Sequence, residues 1–292
     1  MKIDSRLSET SRGILFLIIS VGCFALVDGF SKVVIGPYSF GQVMLARYAL
    51  AFPALLLAIG PARWNRVFQT RMAGLQIARG LTPAIIGGLM VVAVHNLPLA
   101  DATVILFAGP FFVVALSGWM LGERVNASSW FGVGVGFLAV LIVARPGFEA
   151  FSVYAVLPAL GALFYALLQL FTRKLGTAGE DPTTTLAWTL LIGTVVAIPL
   201  AALDWRPPDL HAWLAFFGIG ASFGIAQYYL AKAFVLAPAN ILTPFTYFQI
   251  LAAVIFGIAV FGDVPDFWTM VGTVLILAAG AYVFGRNAVK RT

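Results

Sequence analysis

Ten apolar runs, each long enough to cross a bilayer, leave this chain almost no sequence with which to build anything else. They lie near 13–34, 39–59, 72–94, 97–121, 127–144, 153–173, 183–203, 212–235, 238–261 and 267–285. A bilayer core asks for about 20 apolar residues per helix, and the connections between the runs are too short for a soluble domain. The composition agrees, with 292 residues that are 61% hydrophobic and 10% charged and a mean hydropathy of +0.97, far from the usual soluble balance. No run shows the period-2 alternation of a transmembrane barrel, and 29 glycines suit the close helix packing that lipid favours. The expectation is an all-α integral membrane protein with ten transmembrane helices. The charged opening MKIDSRLSETSRG leads into a run too long for a signal h-region and without a small-x-small cleavage site, so the first run reads as a retained helix.

The basic residues set the orientation. With ten crossings, both termini and the even-numbered loops share one side, which collects Lys2, Arg6, Arg12, Arg63, Arg66, Arg71, Arg124, Arg173, Lys174, Arg286, Lys290 and Arg291. The other side holds Lys32, Arg145 and Arg206. Positive charge concentrates on cytoplasmic loops, so both termini are expected in the cytoplasm and the protein in the cell inner (plasma) membrane. The formal charge of +6 then reflects topology and gives no reason to invoke nucleic acid. Cys23 is the single cysteine, which excludes an internal disulfide.

A shorter pattern repeats inside the longer one. GERVNASSWFG, Gly122 to Gly132, returns in weaker form as GDVPDFWTMVG, Gly262 to Gly272. The offset of 140 residues also aligns Pro98 with Pro238, Thr103 with Thr243, Glu123 with Asp263, Ala139 with Ala279 and Val143 with Val283. Near the start of each half an offset of 141 does better, laying FALVDGFSK (Phe24 to Lys32) on YALLQLFTR (Tyr165 to Arg173). The chain reads as a duplicated five-helix unit, with a first repeat over 12–147 and a second over 152–287. Because five is odd, the second unit crosses in the opposite sense. That puts Glu123 on the cytoplasmic face and Asp263 on the outer one, a 5+5 inverted repeat of the kind used for alternating access.

These residues also carry a resemblance. LPLADATVILFAGPFFVVAL, LGERV, VGFLAVLIVARPG, LAPANILTPFTYFQ and FGDVPDFWTMVG resemble the paired EamA domains of the drug/metabolite transporter (DMT) superfamily. The resemblance covers essentially 13–287. It implies ten helices in two bundles around a central cavity lined mainly by the first, third, fourth, sixth, eighth and ninth. The family includes YddG-type exporters of aromatic and other amino acids, uptake systems for small metabolites, and carriers of nucleotide sugars and phosphate esters, so it implies transport more sharply than cargo.

Candidate cavity residues follow from polar groups placed where lipid cannot satisfy them. Asp28 is the one acid well inside an apolar run. It reads either as neutralised by Lys32 four residues on or as a cavity group for a substrate amine or a proton. The repeat favours the cavity, because Phe24 and Asp28 correspond to Tyr165 and Gln169, each an aromatic and a polar residue at i,i+4, like opposite walls of one pocket. Gln227 and Tyr228 in QYYLAK extend the set, and Lys232 beside them reads equally as snorkelling. Pro110 and Pro244 should kink the fourth and ninth helices, turning Phe107 and Tyr247 toward the pathway. Arg79 reads as snorkelling to the cytoplasmic face, while Arg47 lies deeper and needs a partner or water, and for it the family resemblance implies a scaffold role. Glu123-Arg124 and Asp263 read as devices that cap the tight helical hairpins. Trp64, Trp130, Trp205, Trp213 and Trp268 fall near helix ends, as interfacial anchors do.

No cofactor is expected. His95 has no second ligand at metal spacing, no Gly-Lys-Ser/Thr phosphate loop exists for ATP, and no nucleophile and base or paired acids support an intramembrane enzyme. No ATPase subunit is required, and a monomer is compatible with the reading. The partners expected are the lipid bilayer and a small-molecule substrate, with no nucleic acid. The function expected is a secondary transporter of small polar metabolites by alternating access, foremost an exporter of amino acids including aromatic ones. The alternatives are a carrier for a nucleotide-type or sulfonium compound and a channel-like facilitator.

Overall fold

The computed structural model describes residues 8–34, 36–97, 99–144, 153–256, 258–259 and 267–289. Lys2, Arg6, Pro98, Arg145, Lys290, Arg291 and the stretch 262–266 with Asp263 lie outside the described residues, as do the side chains of Arg63, His95 and Arg286. The apolar runs are helical: α1 (Glu9–Val34), α2 (Phe40–Ala49), α3 (Ala51–Ile59), α4 (Ala73–Asn96), α5 (Leu99–Leu106), α6 (Gly109–Leu121), α7 (Ala127–Ala144), α8 (Val156–Thr177), α9 (Pro182–Leu203), α10 (Leu210–Leu236), α11 (Ala239–Leu242), α12 (Phe248–Phe256) and α13 (Phe267–Val289). Six helical segments are long and apolar enough to cross a membrane, and Ala127–Ile142 and Met270–Val283 are shorter apolar helices. The chain is a multi-pass helical membrane protein.

Three runs are broken, and proline explains each break. A proline cannot donate to the carbonyl four residues back, and its ring crowds that carbonyl. Pro53, Pro110 and Pro244 therefore fall just after the pause at Leu50 between α2 and α3, the gap at Phe107–Ala108 between α5 and α6, and the start of the 3-10 turn Thr243–Tyr247 between α11 and α12. Pro83 lies inside α4 without breaking it. There the freed Arg79 carbonyl accepts instead from Thr82 Oγ1 at 2.6 Å.

The packing follows the repeat. Helix α1 lies along α10 and α8 lies along α4; α1 also packs on α12 and α8 on α6, while α2 pairs with α9 and α7 with α13. Under the 141-residue offset α1 exchanges with α8, α4 with α10 and α6 with α12, so each contact maps onto another and the arrangement has an internal two-fold relation. Glycines let these helices approach closely. A Cβ at Gly41 of α2 would lie 2.3 Å from the Leu200 carbonyl of α9, and one at Gly13 of α1 would lie 2.8 Å from the Ala237 Cβ. The five tryptophans expected at helix ends are exposed, and so is Trp119, which the sequence reading omits.

Candidate substrate site

Exposure along one face of α1 outlines a crevice. Lys32 and Asp28 are open to water, Phe24 is half-buried, and Ser20 and Leu17 are sealed. These residues are spaced three to four apart and share a face, so the accessible surface runs in from the Val34 end and closes at Phe24. Asp28 is set deep in the helical mass and yet exposed, the position of a cavity-lining group. The Phe24 ring stands edge-on to Phe223 of α10, with centroids 6.1 Å apart, and this pair forms the floor. Beneath it Ser20 Oγ donates to the Ala226 carbonyl at 2.7 Å.

Asp28 is met from the other half of the chain. Gln249 Nε2 of α12 donates to Asp28 Oδ2 at 3.0 Å, and the cation whose charge acts on it is Arg47. The carboxylate is therefore engaged by a residue of the second repeat. Gln249 went unnoticed in the sequence, although a polar residue five positions after Pro244 in an apolar run is the same signal that singled out Gln227.

The partner wall meets the same kink. The Tyr165 hydroxyl lies by Gln169 and Thr246, and Thr246 is three residues from Gln249. The two repeat-related pairs, Phe24 with Asp28 and Tyr165 with Gln169, thus converge on the segment broken at Pro244. Gln169 Oε1 is buried without a partner. Phe107 and Tyr247 stack with centroids 6.2 Å apart, and the Tyr247 hydroxyl donates to the Phe107 carbonyl at 3.1 Å. Tyr247 is fully buried over Gly136, where a Cβ would lie 2.2 Å from its ring. Its packing is that of a strut holding the α5–α6 break.

The two arginines inside the apolar runs are held in different ways. Arg79 does not snorkel: it is completely buried. Its Nε donates to Thr172 at 2.8 Å, Nη1 to Thr189, and Nη2 to Gln227 Oε1 at 2.8 Å. This guanidinium of α4 ties α8, α9 and α10 together using neutral acceptors alone among the described residues. Gln227, 2% exposed, is consequently turned to Arg79 and away from the crevice. Arg47 is the reverse. No hydrogen bond reaches its guanidinium among the described residues, its Nε is buried without a partner, and its charge rests 5.7 Å over the Phe223 ring. Lys232 is half-buried and pairs with no acid among the described residues; its ammonium lies 5.1 Å from the Phe16 centroid and 5.2 Å from that of Tyr228.

The end of the molecule opposite the crevice mouth is bolted. Glu123 does not cap α7. Its carboxylate accepts from Arg173 Nε of α8 at 2.8 Å and from the Asn240 amide of α11 at 3.5 Å, while Arg173 Nη1 donates to the Phe234 carbonyl at 2.7 Å. The cap of α6 is Gly122, in the left-handed region at φ 66°, and Glu123 bridges the halves.

Known proteins resolve the architecture. The sequence profile of the EamA-like transporter family matches residues 11–145 and 153–285. The chain belongs to the EamA-like transporter family. Within it, the riboflavin transporter of Vibrio cholerae is 27% identical over 278 residues, covering 93% of this chain and 92% of that protein. The pseudopaline exporter CntI of Pseudomonas aeruginosa is 28% identical over 278 residues, covering 91% and 94%. The S-adenosylmethionine uptake transporter of Rickettsia bellii is 29% identical over 186 residues, 64% of each chain. A solved structure titled only as a protein crystal structure superimposes with a TM-score of 0.81 over 97% of this chain and 99% of that one, at 17% identity, which shows a shared fold. The DMT placement stands, and the names around it are those of transporters with dissimilar cargoes.

Proposed function

We propose that this EamA protein is a secondary carrier of small polar metabolites that rocks two inverted five-helix bundles about the crevice, with amino acids, aromatic ones included, as its leading cargo and export as its direction. The observation that carries this reading is the fall in exposure from Lys32 through Asp28 and Phe24 to Ser20. A crevice that enters from one end, stops midway between repeat-related walls and faces a bolted opposite end is one of the two states an alternating-access carrier requires. In this reading the chain crosses the inner membrane ten times with both termini cytoplasmic, and the open mouth faces outward. The substrate wall is Phe24, Asp28, Tyr165 and Gln169, joined by Arg47 and Gln249; Phe107, Tyr247, Gln227 and Tyr228 support it. S-adenosylmethionine, a sulfonium compound that is itself an α-amino acid, is the second cargo class, favoured by the relative named for it.

Counterflow into proteoliposomes tests this, with labelled amino acids, S-adenosylmethionine and riboflavin measured in parallel. Saturable, trans-stimulated uptake of an amino acid is expected. Unsaturable flux without trans-stimulation would make the protein a channel, and riboflavin alone being carried would overturn the cargo. Reporter tags at Thr292, in the 61–70 loop and between Asp204 and His211 should read cytoplasm, cytoplasm and outside. Termini on opposite faces would end the inverted-repeat reading.

A further inference from the structure

A guanidinium carries five N–H donors and cannot lose its proton, so one left without acceptors inside a protein is waiting for something. Arg79 shows how this fold satisfies an arginine it uses as scaffold, with an acceptor for each of its three nitrogens. Arg47 receives no such set of acceptors among the described residues: its guanidinium lies over the Phe223 face and its charge acts on Asp28. Arg47 and Asp28 act on each other without being joined in an ion pair among the described residues, and Asp28 is held in place by Gln249. The crevice therefore presents Asp28 and Arg47 as separate charges above the aromatic floor of Phe24 and Phe223, with Lys32 nearer the mouth.

We infer that Arg47 and Asp28 form a two-point clamp that selects zwitterionic cargo, Arg47 binding a carboxylate and Asp28 an ammonium group. The inference rests on the carrier reading above and narrows its substrate class. Each alternative leaves a charge opposed or unmatched in a confined site, which is how such sites reject ligands. A phosphate ester would face the Asp28 carboxylate, a simple amine would face Arg47, and a neutral ring system would leave both charges dehydrated. Only a ligand bearing both charges gives each group its opposite, and the two aromatic rings can take an apolar or aromatic side chain below them. The guanidinium fork suits a carboxylate held through two parallel hydrogen bonds, which an ammonium in its place cannot reproduce.

The test is counterflow by the full-length protein with three probes: phenylalanine, phenylalaninamide, whose carboxylate is neutralised, and N-acetylphenylalanine, whose ammonium is neutralised. The wild-type protein should carry phenylalanine roughly tenfold or more faster than either capped probe, the factor expected for one lost charge contact. Arg47→Gln should erase the preference over the amide and keep that over the N-acetyl compound; Asp28→Asn should do the reverse. Arg47→Lys, which keeps the charge, should retain part of the acid-over-amide preference, and the elution profile of each variant checks that it is folded. Wild-type transport of acid and amide at equal rates, or full discrimination surviving in Arg47→Gln, overturns the clamp and leaves the amino-acid carrier standing. No phenylalanine counterflow by the wild-type protein overturns the amino-acid reading and the clamp together.

Discussion

Replacing arginine by lysine keeps the charge and removes the planar fork, so one substitution made at two positions separates what each guanidinium does. At Arg79 the three nitrogens reach Thr172, Thr189 and Gln227 on three different helices. A single ammonium cannot stand in three places, so Arg79→Lys forfeits one or two bonds to a charged group. At about 1.5–3 kcal/mol for each such bond, the loss comes to about 2–5 kcal/mol. Thr172 and Thr189 keep their own hydroxyl donors on the Leu168 and Thr185 carbonyls, so the group left stranded is Gln227 Oε1. Arg47 has no hydrogen bond to lose among the described residues, and a lysine there can still lie over Phe223, so its cost stays below about 1 kcal/mol. Thermal unfolding of the purified proteins in one detergent, without cargo, reads the difference. Arg79→Lys should melt about 5–15 °C below the wild type and Arg47→Lys within about 3 °C of it. Equal losses at the two positions, or the larger loss at Arg47, would refute the assignment of Arg79 to the scaffold and Arg47 to the crevice.

Two further changes probe the packing and the bolt. Gly41→Ala would press a methyl into the Leu200 backbone, which cannot rotate aside, and should destabilise by about 1–3 kcal/mol; Gly22→Ala, with nothing within 4 Å, should be neutral or stabilising by up to about 1 kcal/mol. Identical melting temperatures for the two would contradict the close approach of α2 and α9. For Glu123 and Arg173, single and double replacement by Gln should give a coupling energy of about 1–3 kcal/mol in the melting data, and independent, additive losses would remove their ion pair from the architecture.

Much of the fold is legible because its signals are local. Run lengths give the helices, and Pro110 and Pro244 give two of the breaks through the carbonyls they leave without donors. The repeat gives the exchange of packing partners, since residues that align at offset 141 are bound to occupy equivalent places. Arg79 escapes sequence reading because its environment is supplied from far away. The acceptors of Arg79 lie 93, 110 and 148 residues along the chain, so its position six residues into α4 suggested a route to the surface that the fold closes. Glu123 was misread for the same reason: the turn that follows it offered capping amides, and its actual partners, Arg173 and Asn240, come from the other half. For Asp28 the repeat supplies a non-local clue, pairing it with Gln169 through the 141-residue offset.

The contrast between the two arginines also bears on how movement is tied to cargo. In the open state, water in the crevice can hydrate the Arg47 donors that the protein leaves unmet. On the proposed alternating-access cycle the mouth near Lys32 closes on passage to the opposite state, and closure without cargo would strip that water from a guanidinium and a carboxylate not joined to each other among the described residues, a costly desolvation. With a zwitterion bound, both charges keep a partner through closure, so the occluded state is reached at much lower free energy. A ligand shifts an equilibrium only by its differential affinity for the states concerned, and the clamp supplies that difference at the occluded state. The loaded protein should therefore turn over faster than the empty one, seen as uptake that rises when unlabelled substrate is placed on the far side. Arg47→Gln removes the donors that must be rehydrated or matched, so the empty protein should return faster and the ratio of exchange to net flux should fall toward one. An unchanged ratio in Arg47→Gln would place the barrier to empty return elsewhere, in the Glu123–Arg173 bolt or the Arg79 hub.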